Sequence, residues 1–404
     1  MRTRRPEPSS ALPDGRSEPV RLSVDPVLLG AVLALLTLGL VMVYSASAVT
    51  ALEKTGNGFY FLQRQLAAAA VGLLAMATAL KLGYRRLARL AYPLLVLTVV
   101  LLLLVLVPGV GTLVGGARRW IRFPGVSIQP AEIAKLTWVV YLAYSLAKKR
   151  EKVASFSIGF LPHLLLGGLL VALCMAQPDF GSAVELLVLL FVLLFAAGTK
   201  LSYLVGSVLL ALPMAYSAVA HSPYRLKRIT AFLDPWAHRH DVGYQVAQSL
   251  ISVGSGGFWG LGLGESRQKL FFLPEAHTDF IFSIIGEELG LFGAAVTVLL
   301  YAIIVWRGTR AALRASETFG TYLGLGLTAL IGVQAVVNMS VAMGMLPTKG
   351  LTLPFVSYGG CSLVVSMTAA GALLSLSAAT APMRILAPRR PPAERAALDG
   401  TAPA

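Results

Sequence analysis

The sequence predicts an all-α, polytopic membrane protein of about ten transmembrane helices. Three observations carry that reading. Mean hydropathy over the 404 residues is +0.74, with 56% hydrophobic and only 13% charged positions. The apolar residues gather into runs close to the roughly 20 needed to cross about 30 Å of hydrocarbon. The short Lys/Arg-rich loops also fall on alternate sides, as the positive-inside rule requires.

Residues 1–24 are rich in Pro and Arg without apolar periodicity and read as a disordered, basic cytoplasmic tail. The membrane domain is expected over 25–383. Its first run, 26–48, ends in Ser45-Ala46-Ser47-Ala48, which imitates a signal-peptidase site, but it is too long for a signal-peptide h-region and reads as an uncleaved span. Spans 62–80 and 90–107 follow, then a loop over 108–131. Span 132–147 closes on Lys148, Lys149, Arg150 and Lys152, and span 156–176 breaks at Gln177-Pro178-Asp179. Gly198-Thr199-Lys200 separates 182–198 from 200–220, and a large extracytoplasmic loop, 221–278, leads to 279–305, 319–343 and 361–380. The segment 384–404 reads as a second disordered tail. With the N-terminus inside, the basic clusters at 81–89, 148–152, 200, 307–314 and 384–395 all become cytoplasmic, as do both termini.

A net charge of +15 invites a nucleic-acid reading, but no soluble basic segment interleaved with aromatics exists to support one. Cys174 and Cys361 fall in or beside apolar runs and read as small buried side chains. No internal repeat of the transporter kind is visible.

Some outer-side cations remain: Arg118, Arg119 and Arg122 in 108–131, Arg225, Lys227, Arg228, Arg239, Arg267 and Lys269 in 221–278, and Lys349. Either they are kept there for an anionic ligand, or the long loop was translocated regardless of charge. In Gly115-Gly116-Ala117-Arg118-Arg119-Trp120 the glycines permit close backbone approach and the guanidinium forks suit phosphate. Trp120 suits a sugar face or the membrane interface. Glu132 and Lys135, after Gln129, stand at i, i+3 and can pair with each other. Asp279, at the start of a span, reads either as an N-cap or as a general base at the outer face. Glu287 and Glu288 lie about 12–13.5 Å deeper and must find partners inside the bundle. They read as a structural pair rather than a catalytic one. The segment 346–360, with two prolines and three glycines, cannot be continuous helix and should line a cavity.

These stretches carry a resemblance to the SEDS family (shape, elongation, division and sporulation), the FtsW/RodA/SpoVE group. It rests on Pro223 to Pro235, Gly243-Tyr244-Gln245 with Gln248-Ser249-Leu250, Gly254 to Gly264, Leu273 to Phe280, and Ser357-Tyr358-Gly359-Gly360. The Pro347 to Pro354 stretch is more similar to the division branch than to the elongation or sporulation branches. Cys361 stands where the family often has Ser.

The resemblance implies a SEDS-type fold and a peptidoglycan glycosyltransferase that polymerises lipid II at the outer face of the bacterial inner membrane, at the division septum. It places the family's essential acidic residue on Asp279 and its Arg-Trp pair on Arg119 and Trp120. The matched stretches nominate Gln248, Glu275, His277, Thr278, Ser357 and Tyr358 as substrate-binding, and the outer-loop constellation adds Arg118, Gln129, Glu132 and Lys135. Asp279 is then expected to take the acceptor hydroxyl proton, with Arg119, Lys349 and one or more of Arg225, Arg228 and Lys269 on the pyrophosphate. No cofactor is evident, although a divalent cation, Mg or Mn, could share the anionic charge. The implied partners are a class B penicillin-binding transpeptidase and other division proteins. A lipid II flippase and a non-catalytic scaffold stay open as rivals.

Overall fold

A computed structural model describes residues 24–380 except 115, 124, 125, 221, 222, 242, 271 and 349. Both predicted tails, apart from Val24, therefore lie outside the described residues. The chain runs α1 (Pro26–Thr55), α2 (Tyr60–Leu82), α3 (Tyr84–Leu104), β1 (Gly111–Val114), β2 (Ala117–Phe123), β3 (Val126–Ile128), α4 (Pro130–Lys148), α5 (Leu161–Ala176), α6 (Phe180–Ala196), α7 (Leu201–Ala220), α8 (Pro223–Leu233), α9 (Tyr244–Ser255), α10 (Ile281–Leu313), α11 (Thr318–Ala342) and α12 (Gly360–Thr380).

Helices α1 to α7 and α10 to α12 coincide with the predicted spans. Local chemistry sets their ends. Asp25 caps α1 by accepting from the Val27 and Leu28 amides, with Pro26 at the first turn. Gly56, at φ 71°, closes the same helix by returning its N–H to the Leu52 carbonyl. Asp179 opens α6, accepting from Ser182 N at 3.2 Å and Ser182 Oγ at 2.9 Å.

Among the described residues, seven helices are long and apolar enough to cross a membrane: α1, α2, α3, α5 with the short π turn before it, α10, α11 and α12. This is a multi-pass membrane protein. Burial separates the inner helices from the outer ones, since 78% of the α12 span and 61% of the α11 span are enclosed, against 22% for α2 and α3. Helix α4 joins that centre, with Trp138, Leu142 and Leu146 fully buried against neighbouring helices. Arg307 pairs with Asp25 at 2.6 Å, tying the end of α10 to the start of α1. Arg85 and Glu317 meet at 2.8 Å but are exposed, so their pairing contributes little.

Three features were not expected from the sequence. The loop 108–131 folds into an antiparallel sheet in the order β1-β2-β3, pairing Thr112 with Trp120 and Ile121 with Ile128. Its β-branched and aromatic residues fit a pleated surface with Ala117 and Ile121 turned inward. The large loop contains α8 and α9. Helix α10 is broken at Gly290, where φ is 66° and ψ −164°.

That break is filled by backbone from the large loop. Leu261 N and Gly262 N donate to the carbonyls of Glu287 and Glu288, while Leu291 N and Phe292 N donate to Gly257 and Phe258. Peptide groups freed within the membrane are thus paired by protein. A Cβ at Gly290 would come within 2.3 Å of Gly260 N, and its φ/ψ region is essentially reserved for glycine. Gly290→Ala should cost at least about 1–3 kcal/mol in strain alone. A thermal melt in detergent that matches the parent would refute this account of the break.

Candidate functional site

The outer end of α10 begins in a tight turn. Glu275, at φ 57°, offers its carbonyl to the amides of Thr278, Asp279 and Phe280, and its carboxylate accepts from Thr278 Oγ1 at 3.0 Å. The N-cap position of α10 is Phe280, which leaves Asp279 one residue outside it and half-exposed. Residues 350–359 lie against this turn. Tyr358 N donates to His277 O at 2.9 Å, and the Ser357 hydroxyl donates to Thr278 O while accepting from Leu353 N. Ser357 and Tyr358, from a distant part of the chain, are therefore docked on His277 and Thr278, the two residues that precede Asp279.

Buried amides hold that arrangement. Gln65 of α2 donates to Ser357 O at 3.1 Å and accepts from Gly359 N at 3.3 Å. Asn338 of α11 donates to Asp279 O at 2.9 Å and to Leu351 O at 2.6 Å. Gln334, one turn earlier, donates to Thr352 O at 3.1 Å. The Asp279 carboxylate meets Gly350, where an added Cβ would stand 3.4 Å from Oδ2.

Aromatic rings border the same mouth. Phe61 lies 4.7 Å from His277 and 5.1 Å from Tyr358 between ring centroids, and Arg64 covers the Tyr60 ring at 4.9 Å. Burial raises the Tyr358 phenol above its ordinary pKa, with Arg64 pulling it back. Burial likewise pushes the His277 imidazole below its ordinary value, against the pull of Glu275, and Lys54 adds to the lowering.

The folded imidazole thus resists a proton that the unfolded one accepts near about 6.5. Stability tied to neutral His277 is complete above that pH and is lost as pH falls toward the lower folded pKa. His277→Gln should lessen the loss of melting temperature between about pH 7.5 and 5.5. Parallel pH curves for parent and variant would contradict this.

The other expected residues are placed differently. Arg119 donates through Nε to Gln177 O at 3.2 Å and through Nη2 to Pro178 O, so it braces the break between α5 and α6. Arg118 and Trp120 are half-buried on β2. Gln129 reaches Asp179 Oδ2 at 3.4 Å. Lys135 is fully buried, with Glu132 at 2.8 Å and Glu185 at 3.0 Å, so the i, i+3 pairing forms with a third member. Lys269 is buried too, its ammonium engaged by Glu288 at 2.8 Å, Gly264 O and Ser45. Glu287 and Glu288 do not pair with each other. Glu287 accepts from Ser252, Ser266 and the Arg267 amide, and Glu288 binds Ser45 and Lys269.

A cavity of about 510 Å³ opens beside Lys269, between α1 and residues 263–270. Gln248 is half-buried on α9. Lys349 and the side chains of Arg225 and Arg228 lie outside the described residues. Among the described residues, no group of three or more His, Cys, Asp or Glu side chains is arranged to hold a metal.

The sequence reading passed over Phe61, Arg64, Gln65, Gln334 and Asn338. Three of them are amides inside apolar spans, which was the available signal, because a polar side chain there must find a partner in the bundle.

Known proteins match nearly all of this architecture. The "Probable peptidoglycan glycosyltransferase FtsW" of Geobacter metallireducens is 50% identical over 353 residues, covering 87% of this chain and 94% of the relative. The stage V sporulation protein E of Bacillus subtilis is 42% identical, covering 88% and 98%. Among solved structures, a chain of a peptidoglycan synthase complex that coordinates polymerization and crosslinking matches with TM-score 0.74 at 31% identity, covering 88% of this chain and 98% of that one. The rod shape determining protein RodA of Thermus thermophilus matches with TM-score 0.65 at 30% identity, covering 90% and 100%. The cell cycle protein model for FtsW, RodA and SpoVE matches residues 26–381, and with that span the chain belongs to the FtsW/RodA/SpoVE family.

Proposed function

We propose that this chain is a peptidoglycan glycosyltransferase, joining lipid II units into glycan strands at the outer face of the bacterial inner membrane. The observation that carries the reading is the packing of Ser357 and Tyr358 on the main chain of His277 and Thr278, directly beside the half-exposed Asp279. In the proposed reaction Asp279 removes the proton from the 4-hydroxyl of an acceptor sugar as that oxygen attacks the donor's anomeric carbon. The C–O bond to undecaprenyl pyrophosphate breaks with inversion. Pyrophosphate leaves as an anion and needs no proton donor, unlike the alcohol released from a hydrolysed glycoside, so one carboxylate suffices.

Cations take the acid's place. Lys349, Arg225, Arg228 and the exposed Arg64 are the side chains assigned to the pyrophosphate. Arg119 and Lys269, with their described partners, act instead by holding the walls of the site. A divalent cation carried in by the pyrophosphate would share the charge. Tyr358, His277 and Phe61 offer ring faces to a sugar.

The proposal extends to a single-pass class B penicillin-binding transpeptidase as partner, to cytoplasmic termini and to the division septum. Purified with that partner and given lipid II in detergent, the chain should produce glycan polymer. No polymer, together with lipid II translocation in vesicles, would replace this reading with transport.

A further inference from the structure

We infer that Asn338 is a positioning residue for Asp279, setting the carboxylate through the main chain of both segments that form the mouth. The inference rests on the proposed role of Asp279 as the base. Asn338 is 1% exposed near the outer end of α11. Its Nδ2 donates to two carbonyls from different parts of the chain, Asp279 O at 2.9 Å and Leu351 O at 2.6 Å.

Both acceptors are carbonyls, so the orientation of the amide is determined: turned over, its oxygen would face two other oxygens. With Nδ2 committed in this way, Asn338 Oδ1 is buried without a hydrogen-bond partner among the described residues. A buried polar atom left unpaired costs free energy, and leucine would fill the same space without that cost. The double donation is what an asparagine provides here in return.

The geometry downstream explains why it matters. Leu351 directly follows Gly350, the position at which an added Cβ would stand 3.4 Å from Asp279 Oδ2. One amide group therefore holds the main chain of both segments that approach each other there. A shift of either carbonyl would displace the carboxylate relative to an acceptor hydroxyl, and a misplacement of about 1 Å can cost about 10²-fold in rate. Gln334 is an internal comparison. It holds Thr352 of the same segment but makes no hydrogen bond to Asp279.

The test measures steady-state lipid II polymerisation by the full chain with its transpeptidase partner. Asn338→Ala should lower kcat by about 10²-fold with KM for lipid II nearly unchanged. Asn338→Asp, equal in size but lacking the two amide donors, should lose as much, and Gln334→Leu should lose far less. Asn338→Ser serves if the alanine variant does not elute as a single species. In an Asp279→Asn background, Asn338→Ala should cost less than about twofold more, because a residue acting through the carboxylate has nothing left to position.

Equal losses from Asn338→Ala in both backgrounds would overturn the inference, and so would equal losses from Asn338→Ala and Gln334→Leu, which would indicate loop anchoring alone. Full activity of Asp279→Asn by itself would instead remove the base. That outcome is read from a separate protein, so the two failures are distinguishable.

Discussion

Asp279→Asn should lower the rate of lipid II polymerisation by about 10²–10⁴-fold, the range that a positioned general base contributes. The substitution keeps the side chain's size and leaves untouched the carbonyl that accepts from Asn338. The packing of Ser357 and Tyr358 on residues 277 and 278 involves main-chain carbonyls, so it too should survive. What is lost is the negative charge and with it the capacity to accept a proton. The variant should therefore express and elute as a single species while making almost no glycan. Product length and amount from purified lipid II, at matched protein concentration, decide the matter. Polymer at the parental rate would eliminate Asp279 as the base.

Lys135→Met should be the most destabilising of the substitutions considered. Lys135 is fully enclosed, and its ammonium lies between the carboxylates of Glu132 and Glu185, themselves buried. Removing the cation leaves two acidic groups with no countercharge between them, and breaking a buried ion pair in this way costs about 3–5 kcal/mol. Replacing all three residues together, as Glu132→Gln, Lys135→Met and Glu185→Gln, removes the stranded charge and should recover much of the loss. Melting temperatures in detergent, compared across the single and triple variants, measure this directly. If the single variant melted with the parent, the triad would carry no stability. If the triple variant were as weak as the single, the loss would stem from packing rather than from stranded charge.

Much of the architecture was legible because membrane insertion is governed by local quantities. A run of about 20 apolar residues crosses the hydrocarbon whatever its neighbours are, so the spanning helices were visible one at a time. The resemblance marked Leu273 to Phe280 and Ser357 to Gly360, and the structure packs those two stretches against each other.

The partners of polar side chains were less accessible. Lys269 looked like a free outer cation, yet Glu288 binds it across 19 residues of sequence. Arg119 looked equally free, and it braces carbonyls of the α5–α6 break. The pairing of Glu132 with Lys135 could be anticipated from their i, i+3 spacing, whereas Glu185 enters from another helix 50 residues away.

The helical membrane architecture and the motif stretches that carry the family likeness followed from residue order alone, because each depends on a segment's own transfer cost or on a contiguous motif. The break at Gly290, the amide of Asn338 bridging two segments, and the partners that hold Arg119 and Lys269 were decided by tertiary contact. In a low-dielectric bundle every buried donor and charge must find a partner, and which partner it finds depends on which helices meet.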